Sequence, residues 1–280
     1  MEEGLSPRTV SSFKAFITTF VNRSSASTVK DISLERLRDF FYEGKELHQW
    51  SYWHYVNHHK HFRKFLDWCI RQGYTDRNPA LKIKKPKKPQ SLPRRLTYEQ
   101  AQAVLYASFN HPWRYAFERT RNHALIASLL FTGLRARELL NLELHDLDLN
   151  DGTLLVRAGK GNKDRFVPIH HKLRHALQRY LAARARHGRT SSRLFTHALQ
   201  DSPLGYRALN RICQRLSRAT RIKFTPHCLR HTFGSVSIEQ DINLVKLKEI
   251  MGHRHISSTM IYLSMAPANL KESLNRLDLF

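Results

Sequence analysis

Apolar residues recur three or four positions apart in three stretches of the first eighty residues, and this spacing predicts three helices. The first stretch follows Ser6 and Pro7, which suit an N-cap and a first helical position. The second begins near Ser33 and is expected to end at Gly44, because glycine readily adopts the positive φ of a helix end. The third is the longest and covers about residues 50–72.

The third predicted helix carries an apolar stripe and a polar face that is rich in histidine. The stripe consists of Tyr55, His59, Phe62, Leu66 and Cys69. His54 and His58 lie off the stripe at the i, i+4 spacing that metal ligands use, but no carboxylate or cysteine completes a set. A solvated or phosphate-facing helix is the favoured interpretation. Together the three helices predict a helical domain over residues 1–81.

From residue 97 onward the hydrophobic period changes along the chain, which predicts mainly helices and one small sheet. Thr97 and Gln100 have capping-box spacing, and residues 121–133 are expected to form a buried helix. Three short segments that alternate or are β-branched, separated by turn residues, predict a three-stranded antiparallel sheet; they are residues 142–149, 153–158 and 165–169. Helices with basic outer faces follow. The predicted fold class is mostly α, of the α+β type.

A short basic segment, KIKKPKKPQSLPRRL at residues 82–96, separates the two patterns. Its prolines favour an extended chain, so it is predicted to be a linker between residues 1–81 and 97–280. A solvated charge run is one interpretation, and a strap that lies along DNA phosphates is the other, which the basic regions on both sides favour. The residues expected to contact phosphates are Lys82, Lys84, Lys85, Lys87, Lys88, Arg94 and Arg95.

The overall charge is strongly positive and indicates a polyanionic partner. The 280 residues include 47 Lys and Arg against 23 Asp and Glu, a formal net charge of +24, and such a surface attracts nucleic acid. A hydrophobic content of 41% is enough to build cores, which argues against a disordered basic tail. No run of apolar residues predicts a membrane span. Three cysteines without CxxC spacing and the absence of a leader-like start favour a reduced, intracellular protein.

Several residues that could act on a phosphate occur in order along residues 132–262. They lie in TGLRARELLNL, GKGNKDRFVPI, HCLRHTF and MGH, and a tyrosine follows nine residues after the last histidine. The residues are Arg135, Glu138, Lys160, His227, Arg230, His253 and Tyr262. Each is a weak signal alone, because an arginine or lysine on a turn is usually a surface charge. Their order and spacing together are a strong one.

These motifs closely resemble those of the tyrosine recombinase, or phage integrase, family, which includes the Xer recombinases. The resemblance covers essentially the whole chain and implies a helical, SAM-like core-binding domain joined to a catalytic domain of the DNA breaking-rejoining fold. It also implies site-specific cleavage and rejoining of DNA strands through a covalent 3′-phosphotyrosine, with no metal, ATP or other cofactor. The departures are small: Gly234 stands where alanine is common, Met251 replaces leucine, and YLS replaces Tyr-x-His.

The resemblance assigns a role to each residue of the set. Tyr262 is the nucleophile, Glu138 is a supporting acid, and the phosphate-activating residues are Arg135, Lys160, His227, Arg230 and His253. The chemistry agrees, because a planar guanidinium can donate to two phosphate oxygens at once. His227 is the candidate base for the tyrosine proton, and Lys160, on a hairpin, is the candidate acid for the departing 5′ oxygen. Lys163 on the same turn is expected to contact DNA.

A metal site is the main chemical alternative at these histidines. His227 and His231 have the i, i+4 spacing of the HExxH motif, but Cys228 stands where that motif needs glutamate. No cluster of acidic residues could hold two Mg²⁺ ions. We therefore expect no metal, and we expect His231 to pack the helix or support the site.

Two other function classes share parts of this pattern. A type IB topoisomerase would use the same tyrosine chemistry to relax supercoils as a monomer, and a non-catalytic protein on the same fold would only occupy DNA. The intact catalytic set and the two-domain layout favour the recombinase, bound to a specific site in double-stranded DNA in the cytoplasm, at the nucleoid. The resemblance implies a homo-oligomer on DNA, a tetramer when two sites are paired. Residues 268–280 are predicted to dock as a short apolar helix, on the same domain or on a neighbouring protomer.

Overall fold

The computed structural model describes residues 7–89, 92–157 and 164–265. Lys160, Lys163 and the predicted docking tail at residues 268–280 lie outside the described residues. The chain divides into two compact units, Met1–Ser91 and Leu92–Phe280. The boundary between these units falls inside the basic segment at residues 82–96.

The first unit is a helical bundle in which serine residues cap the starts of two helices. Its helices are α1 (Pro7–Ser24), α2 (Leu34–Glu46) and α3 (Tyr52–Arg71), with 3-10 turns at Val29–Asp31 and Pro79–Lys82. The Ser33 hydroxyl accepts the N–H of Arg36 at 3.1 Å, and the Ser51 hydroxyl accepts the N–H of His54 at 3.2 Å, so both helix starts are satisfied. The core combines phenylalanine and aliphatic side chains and includes Phe20, Leu37, Phe40, Phe41, Phe62 and Leu66.

Two sequence predictions in this unit are wrong in detail. Helix α2 does not end at Gly44 but continues to Glu46. Position 44 requires glycine because the Trp50 ring packs against its Cα, and an added Cβ would lie only 2.4 Å from that ring. His58 does not face solvent. It is 2% exposed and stacks on the Trp50 ring at 4.3 Å, while its Nε2 lies 3.1 Å from that of His54.

The start of the basic segment is bound to α3 through its backbone. Ile83 is buried in the core, a ring nitrogen of His59 lies 3.0 Å from the Ile83 carbonyl oxygen, and the Tyr55 hydroxyl donates to the Lys84 carbonyl at 3.0 Å. These bonds fix the backbone while the lysine side chains stay exposed, and Lys88 lies over the Trp53 ring.

The second unit contains eight described helices and the predicted antiparallel sheet. The helices are α4 (Tyr98–Asn110), α5 (Ala116–Thr132), α6 (Ala136–Asn141), α7 (His171–Arg186), α8 (Tyr206–Thr220), α9 (Pro226–Glu239), α10 (Leu244–Met251) and α11 (Ser257–Met265). The strands are β1 (Leu147–Asp148), β2 (Thr153–Val156) and β3 (Arg165–Pro168), in the order β1-β2-β3. Thr97 forms the predicted capping box with Gln100 at the start of α4.

Helix α5 is the centre of this unit and positions the site. It is buried along most of its length and packs against α4, α7 and α9. Burying side chains such as Leu125, Ile126 and Leu129 contributes about 1.5–3 kcal/mol each. The helix ends at Gly133, whose φ of 60° is left-handed and whose added Cβ would lie 2.3 Å from the Phe233 ring. This turn delivers the next residues of the chain to the site.

None of the described helices combines the length and the apolar character needed to cross a membrane. Cys69, Cys213 and Cys228 are all buried as free thiols.

Candidate active site

The predicted catalytic residues that the structure describes meet in the second unit, at the ends of several elements. The site is built from the turn between α5 and α6, the first turn of α6, the first residue of β3, the first half of α9, the end of α10 and the middle of α11. The side chains they supply are Arg135, Glu138, Arg165, Arg230, His231, His253 and Tyr262.

Arg135 is the N-cap residue of α6 and is exposed on one side of the site. Its backbone N–H donates to the Glu138 carboxylate at 2.8 Å, and its Nη1 donates to the same carboxylate at 2.7 Å. Its Nη2 donates to the Gly252 carbonyl oxygen at 2.9 Å. Arg135 therefore connects the start of α6 to the end of α10.

Glu138 is the carboxylate at the centre of these arginines. Arg165 donates to it through both terminal nitrogens, at 3.2 and 2.9 Å, and Nη1 of Arg230 lies 3.9 Å from it. Burial alone would raise the pKa of Glu138, but the bonds from Arg165 and the Arg135 N–H outweigh burial, and the pKa lies below its usual value. Glu138 is thus an anion that organises three cations.

Arg230 is buried at the bottom of the site, with 2% of its surface exposed. Its Nη1 donates to the Gly133 carbonyl at 2.6 Å and its Nη2 donates to the Met251 carbonyl at 2.8 Å. Burial, and next the positive charge of Arg135, lower its pKa to about 10, so it remains a cation at neutral pH.

His253 follows the glycine that ends α10. Gly252 has a φ of 64°, and this left-handed turn lets the His253 N–H donate to the Lys248 carbonyl at 3.0 Å. The Nδ1 of His253 lies 2.8 Å from the Thr259 hydroxyl, and its ring is parallel to the Tyr262 ring at 6.3 Å. Burial, and then Arg230, lower the pKa of His253 to about 4, so the ring is neutral at pH 7.

Tyr262 is almost completely buried, with 1% of its surface exposed. Its ring lies against Gly234 of α9, where an added Cβ would be 2.5 Å from the tyrosine Cζ. Its hydroxyl is 3.1 Å from Nδ1 of His231. Burial raises the pKa of Tyr262, and the positive charges of Arg230 and Arg135 oppose that rise.

Helix α9 carries two neighbouring histidines, His227 and His231, where the sequence predicted that one acts as the base. His227 is exposed, and its ring contacts that of His231 edge-on at 4.3 Å. Burial, and next His227, lower the pKa of His231 to about 4, and burial followed by Arg230 lowers the pKa of His227. The described contact to the tyrosine oxygen belongs to His231, although sequence reasoning assigned the base to His227. The i, i+4 spacing that suggested a metal instead places both rings on one helix face.

Arg165 is a residue of the site that sequence reasoning missed. It begins β3, five residues after Lys160 in the sequence, and only 11% of its side chain is exposed. The sequence contained a weak signal, since Arg165 alternates with Phe166 in the predicted strand and so shares a strand face with the apolar Val167 and Ile169.

The predicted phosphate contacts outside the centre are not all alike. Lys82, Lys84, Lys85, Lys87, Lys88 and Arg94 have exposed side chains. Arg95 instead forms an ion pair with Glu239 at 2.6 Å.

This set of groups is suited to an anionic, tetrahedral ligand. Arg135 and Arg230 supply fixed donors, His253 and His231 supply neutral rings, and Tyr262 supplies a hydroxyl. Among the described residues, no three His, Cys, Asp or Glu side chains come close enough to share a metal ion.

Comparison with known proteins identifies the family. Residues 94–269, more than half of the chain, match the phage integrase family. The chain is 30% identical to the tyrosine recombinase XerA of Pyrococcus furiosus over 281 residues, which cover 99% of this chain and 90% of that protein. It is 29% identical to the tyrosine recombinase XerD of Oceanobacillus iheyensis, over 97% of this chain and 92% of the relative.

Solved structures share the fold. The XerH site-specific recombinase, bound to a palindromic difH substrate in a post-cleavage complex, matches with a TM-score of 0.77 and 22% identity over 96% of this chain and 79% of that one. The Tn1549 transposon integrase, in complex with a circular intermediate DNA, matches with a TM-score of 0.76 and 19% identity over 97% and 95% of the two chains. The helical fold with its small sheet and the motifs thus agree with the sequence matches, and the chain belongs to the phage integrase family, the tyrosine recombinases.

Proposed function

We propose that this tyrosine recombinase cleaves DNA by attack of the Tyr262 hydroxyl on a backbone phosphate. A bond forms between the tyrosine oxygen and phosphorus, and the bond from phosphorus to the 5′ oxygen breaks, which leaves a 3′-phosphotyrosine and a free 5′ hydroxyl. Because one phosphoester replaces another, the reverse reaction can rejoin a strand without ATP. The observation that carries this assignment is the position of Tyr262 beside His231 in the same site as Arg135, Arg230 and His253.

The two arginines stabilise the charge that builds up on the non-bridging oxygens. The described bonds engage two of the five N–H donors of Arg135 and two of those of Arg230, so each guanidinium keeps donors for a phosphate. Removing one such donor commonly costs about 10²- to 10³-fold in rate. His253 is the third donor, and its bond to Thr259 fixes the orientation of its ring.

Two proton transfers accompany the attack. The tyrosine proton passes to the histidine pair of α9: His231 contacts the hydroxyl, and His227 adjoins it on the exposed side. A ring that is neutral at pH 7 can accept this proton, and the low pKa of His231 keeps it neutral. Lys160 supplies the proton that the 5′ oxygen takes up on leaving.

The nucleophile must be uncovered before it reacts. With 1% of Tyr262 exposed, a phosphate cannot contact its oxygen in the described arrangement. Tyr262 lies on α11, which packs on α9 and α10, so a shift of α11 is the movement that DNA binding has to drive.

The substrate is a specific site in double-stranded DNA. A net charge of +24 and the exposed lysines at residues 82–88 provide for phosphate contacts. The first unit serves as the core-binding domain and the second as the catalytic domain. The XerH and Tn1549 proteins were solved with DNA bound, and a λ integrase of the same fold was solved as a dimer on a core site. By analogy we assign this protein a tetramer on two paired sites, at the nucleoid in the cytoplasm.

A nicked suicide substrate tests this function directly. The wild-type protein should form an adduct that survives denaturation, and Tyr262→Phe should bind the same DNA without forming it. An adduct with the phenylalanine variant would refute the assignment, and absence of an adduct with the wild type would favour a non-catalytic binder. Recombinant product in place of plasmid relaxation separates the recombinase from a type IB topoisomerase.

A further inference from the structure

Three consecutive carbonyl groups, the last two of α10 and that of its C-cap Gly252, each accept a hydrogen bond from a different arginine. Nε of Arg165 donates to Ile250 at 2.8 Å, Nη2 of Arg230 donates to Met251 at 2.8 Å, and Nη2 of Arg135 donates to Gly252 at 2.9 Å. Carbonyls at a helix C-terminus have no partner within the helix and carry partial negative charge. Three cationic donors therefore anchor the end of α10, from which His253 follows.

Arg165 differs from the other two arginines because all three of its guanidinium nitrogens bond protein groups. Both its terminal nitrogens bond the Glu138 carboxylate, and its Nε bonds the Ile250 carbonyl. It also fills the space beside Gly252, where an added Cβ would lie 2.7 Å from its Cζ. Arg165 thus joins the carboxylate that holds Arg135 to the helix end that holds His253.

This bridge has a physical consequence for the phosphate donors. Arg135 and Arg230 repel each other, and their positive charges are held together by Glu138 and the helix carbonyls. Without Arg165, Glu138 would lose two of its bonds and α10 would lose one of its three anchors. Displacing catalytic groups by about 1 Å can cost on the order of 10²-fold in rate.

We propose that Arg165 is a positioning residue for strand cleavage, which holds Glu138 and the end of α10 so that Arg135, Arg230 and His253 face the phosphate in one arrangement. The inference rests on the proposed roles of those three residues. It requires the fork of a guanidinium, because a lysine cannot bond both carboxylate oxygens and a carbonyl in the same geometry.

The first experiment compares binding with cleavage. Arg165→Gln should bind a half-site within about twofold of the wild type, yet form the covalent adduct about 10- to 100-fold more slowly. Arg165→Lys should recover only part of the rate. The control is Arg193→Gln, which removes an arginine that pairs with Glu143 at 3.6 Å and bonds the Asn141 carbonyl elsewhere in the unit, and which should cleave normally.

A sulfur-substituted substrate separates this role from an effect on Lys160, which lies five residues before Arg165 in the sequence. A 5′-bridging phosphorothioate has a thiolate leaving group that needs no proton, so it restores cleavage when only the general acid is impaired. We expect no restoration with Arg165→Gln, because its phosphate donors are misplaced. Full restoration would overturn the proposal in favour of a role in placing Lys160.

The remaining outcomes are also decisive. Normal cleavage by Arg165→Gln overturns the positioning role. A cleavage defect that is matched by an equal loss of half-site binding and of folded protein also overturns it. If the glutamine variant does not fold, the lysine variant is judged by the same criteria. Arg135→Gln and Tyr262→Phe are measured in parallel. If these two cleave normally, the proposed function fails, whereas their loss of cleavage beside a normal Arg165→Gln defeats this inference alone.

Discussion

The ring of Tyr262 packs directly against the backbone of α9, which is possible only because the residue it contacts there is a glycine, Gly234. Gly234 is buried on α9, and the tyrosine ring occupies the position of its missing Cβ. The hydroxyl at the far end of the ring meets His231. Gly234, which stands where a small residue such as alanine is common, therefore sets the position of the proposed nucleophile.

We expect Gly234→Ala to displace the Tyr262 ring, because its Cβ would come within 2.5 Å of the ring carbon Cζ. Overpacking of this kind costs about 1–3 kcal/mol in the free energy of unfolding, and adduct formation should fall with it. Urea titration and a timed cleavage assay measure both effects. Gly205→Ala is the matched control, since nothing lies within 4 Å of an added Cβ there. Equal stability of the two variants would contradict the close contact.

At this scale the sequence predicted residue types better than partners. Arg135, Arg230, His253 and Tyr262 were found from their motifs, and the structure places them in one site. Arg165 was not assigned to that site, and His231 was expected only to pack the helix or support the site, because their contacts join residues that are 27 and 31 positions apart in the chain. Such pairs are set by how the helices pack, and local periodicity contains no information about them.

The secondary-structure elements follow local chemistry closely where caps and periods are clear. The Thr97 capping box, the start of α2 near Ser33 and a three-stranded antiparallel sheet were predicted correctly. The first strand is shorter than the predicted residues 142–149 and covers only Leu147–Asp148, because a 3-10 turn occupies Leu144–Asp146. The two other failures, Gly44 and His58, have one cause. Both depend on the Trp50 ring, which packs back onto α2 and α3 from the connection between them. A polar residue covered by a tryptophan from outside its own helix does not reveal its burial in the hydrophobic pattern.

The buried His58 of α3 and the half-buried His231 and His253 of the site predict how stability depends on pH. The pKa of His58 is lowered to about 3 and those of His231 and His253 to about 4, against an ordinary 6.5. Below pH 6.5 these histidines are therefore protonated in the unfolded chain but remain neutral in the native chain. Unfolding free energy should fall as the pH decreases from 6.5 towards 4, by about 1–2 kcal/mol per histidine at pH 5.

Urea titrations at pH 7 and pH 5 test this dependence. His58→Phe, which keeps a ring on Trp50 but cannot be protonated, should reduce the difference between the two pH values. Equal stability at both pH values would show that these rings are not buried as neutral groups.

At the scale of the whole molecule, the basic segment links binding to ionic strength. The backbone near Ile83 and Lys84 is bonded to α3, so the lysines are presented from a fixed chain. We expect glutamate at Lys84, Lys85 and Lys87 to weaken binding to all DNA sequences alike. If each lysine neutralises one phosphate, the slope of log K against log salt should flatten by about 3. An unchanged slope would mean that the segment is a solvated face.

The C-terminal tail is the second property of the whole molecule. Residues 268–280 lie outside the described part of the chain, and their leucine spacing predicts a short helix that must dock to be stable. Docking on a neighbouring protomer would couple Tyr262 to the presence of that neighbour. We expect a protein that lacks residues 268–280 to bind one half-site normally but to lose cooperative filling of a two-arm site in gel-shift titration. Unchanged cooperativity and recombination would place the tail on its own domain.

The central claim is that the described site cleaves DNA covalently through Tyr262 without a metal ion. The most direct measurement is to trap the adduct on a suicide substrate in excess EDTA, digest it and locate the nucleotide-bearing peptide by mass spectrometry. We expect the wild-type protein to react as fast as it does with Mg²⁺, and the attached nucleotide to map to Tyr262. Attachment to any other residue, or an adduct that forms only when Mg²⁺ is restored, would contradict the account.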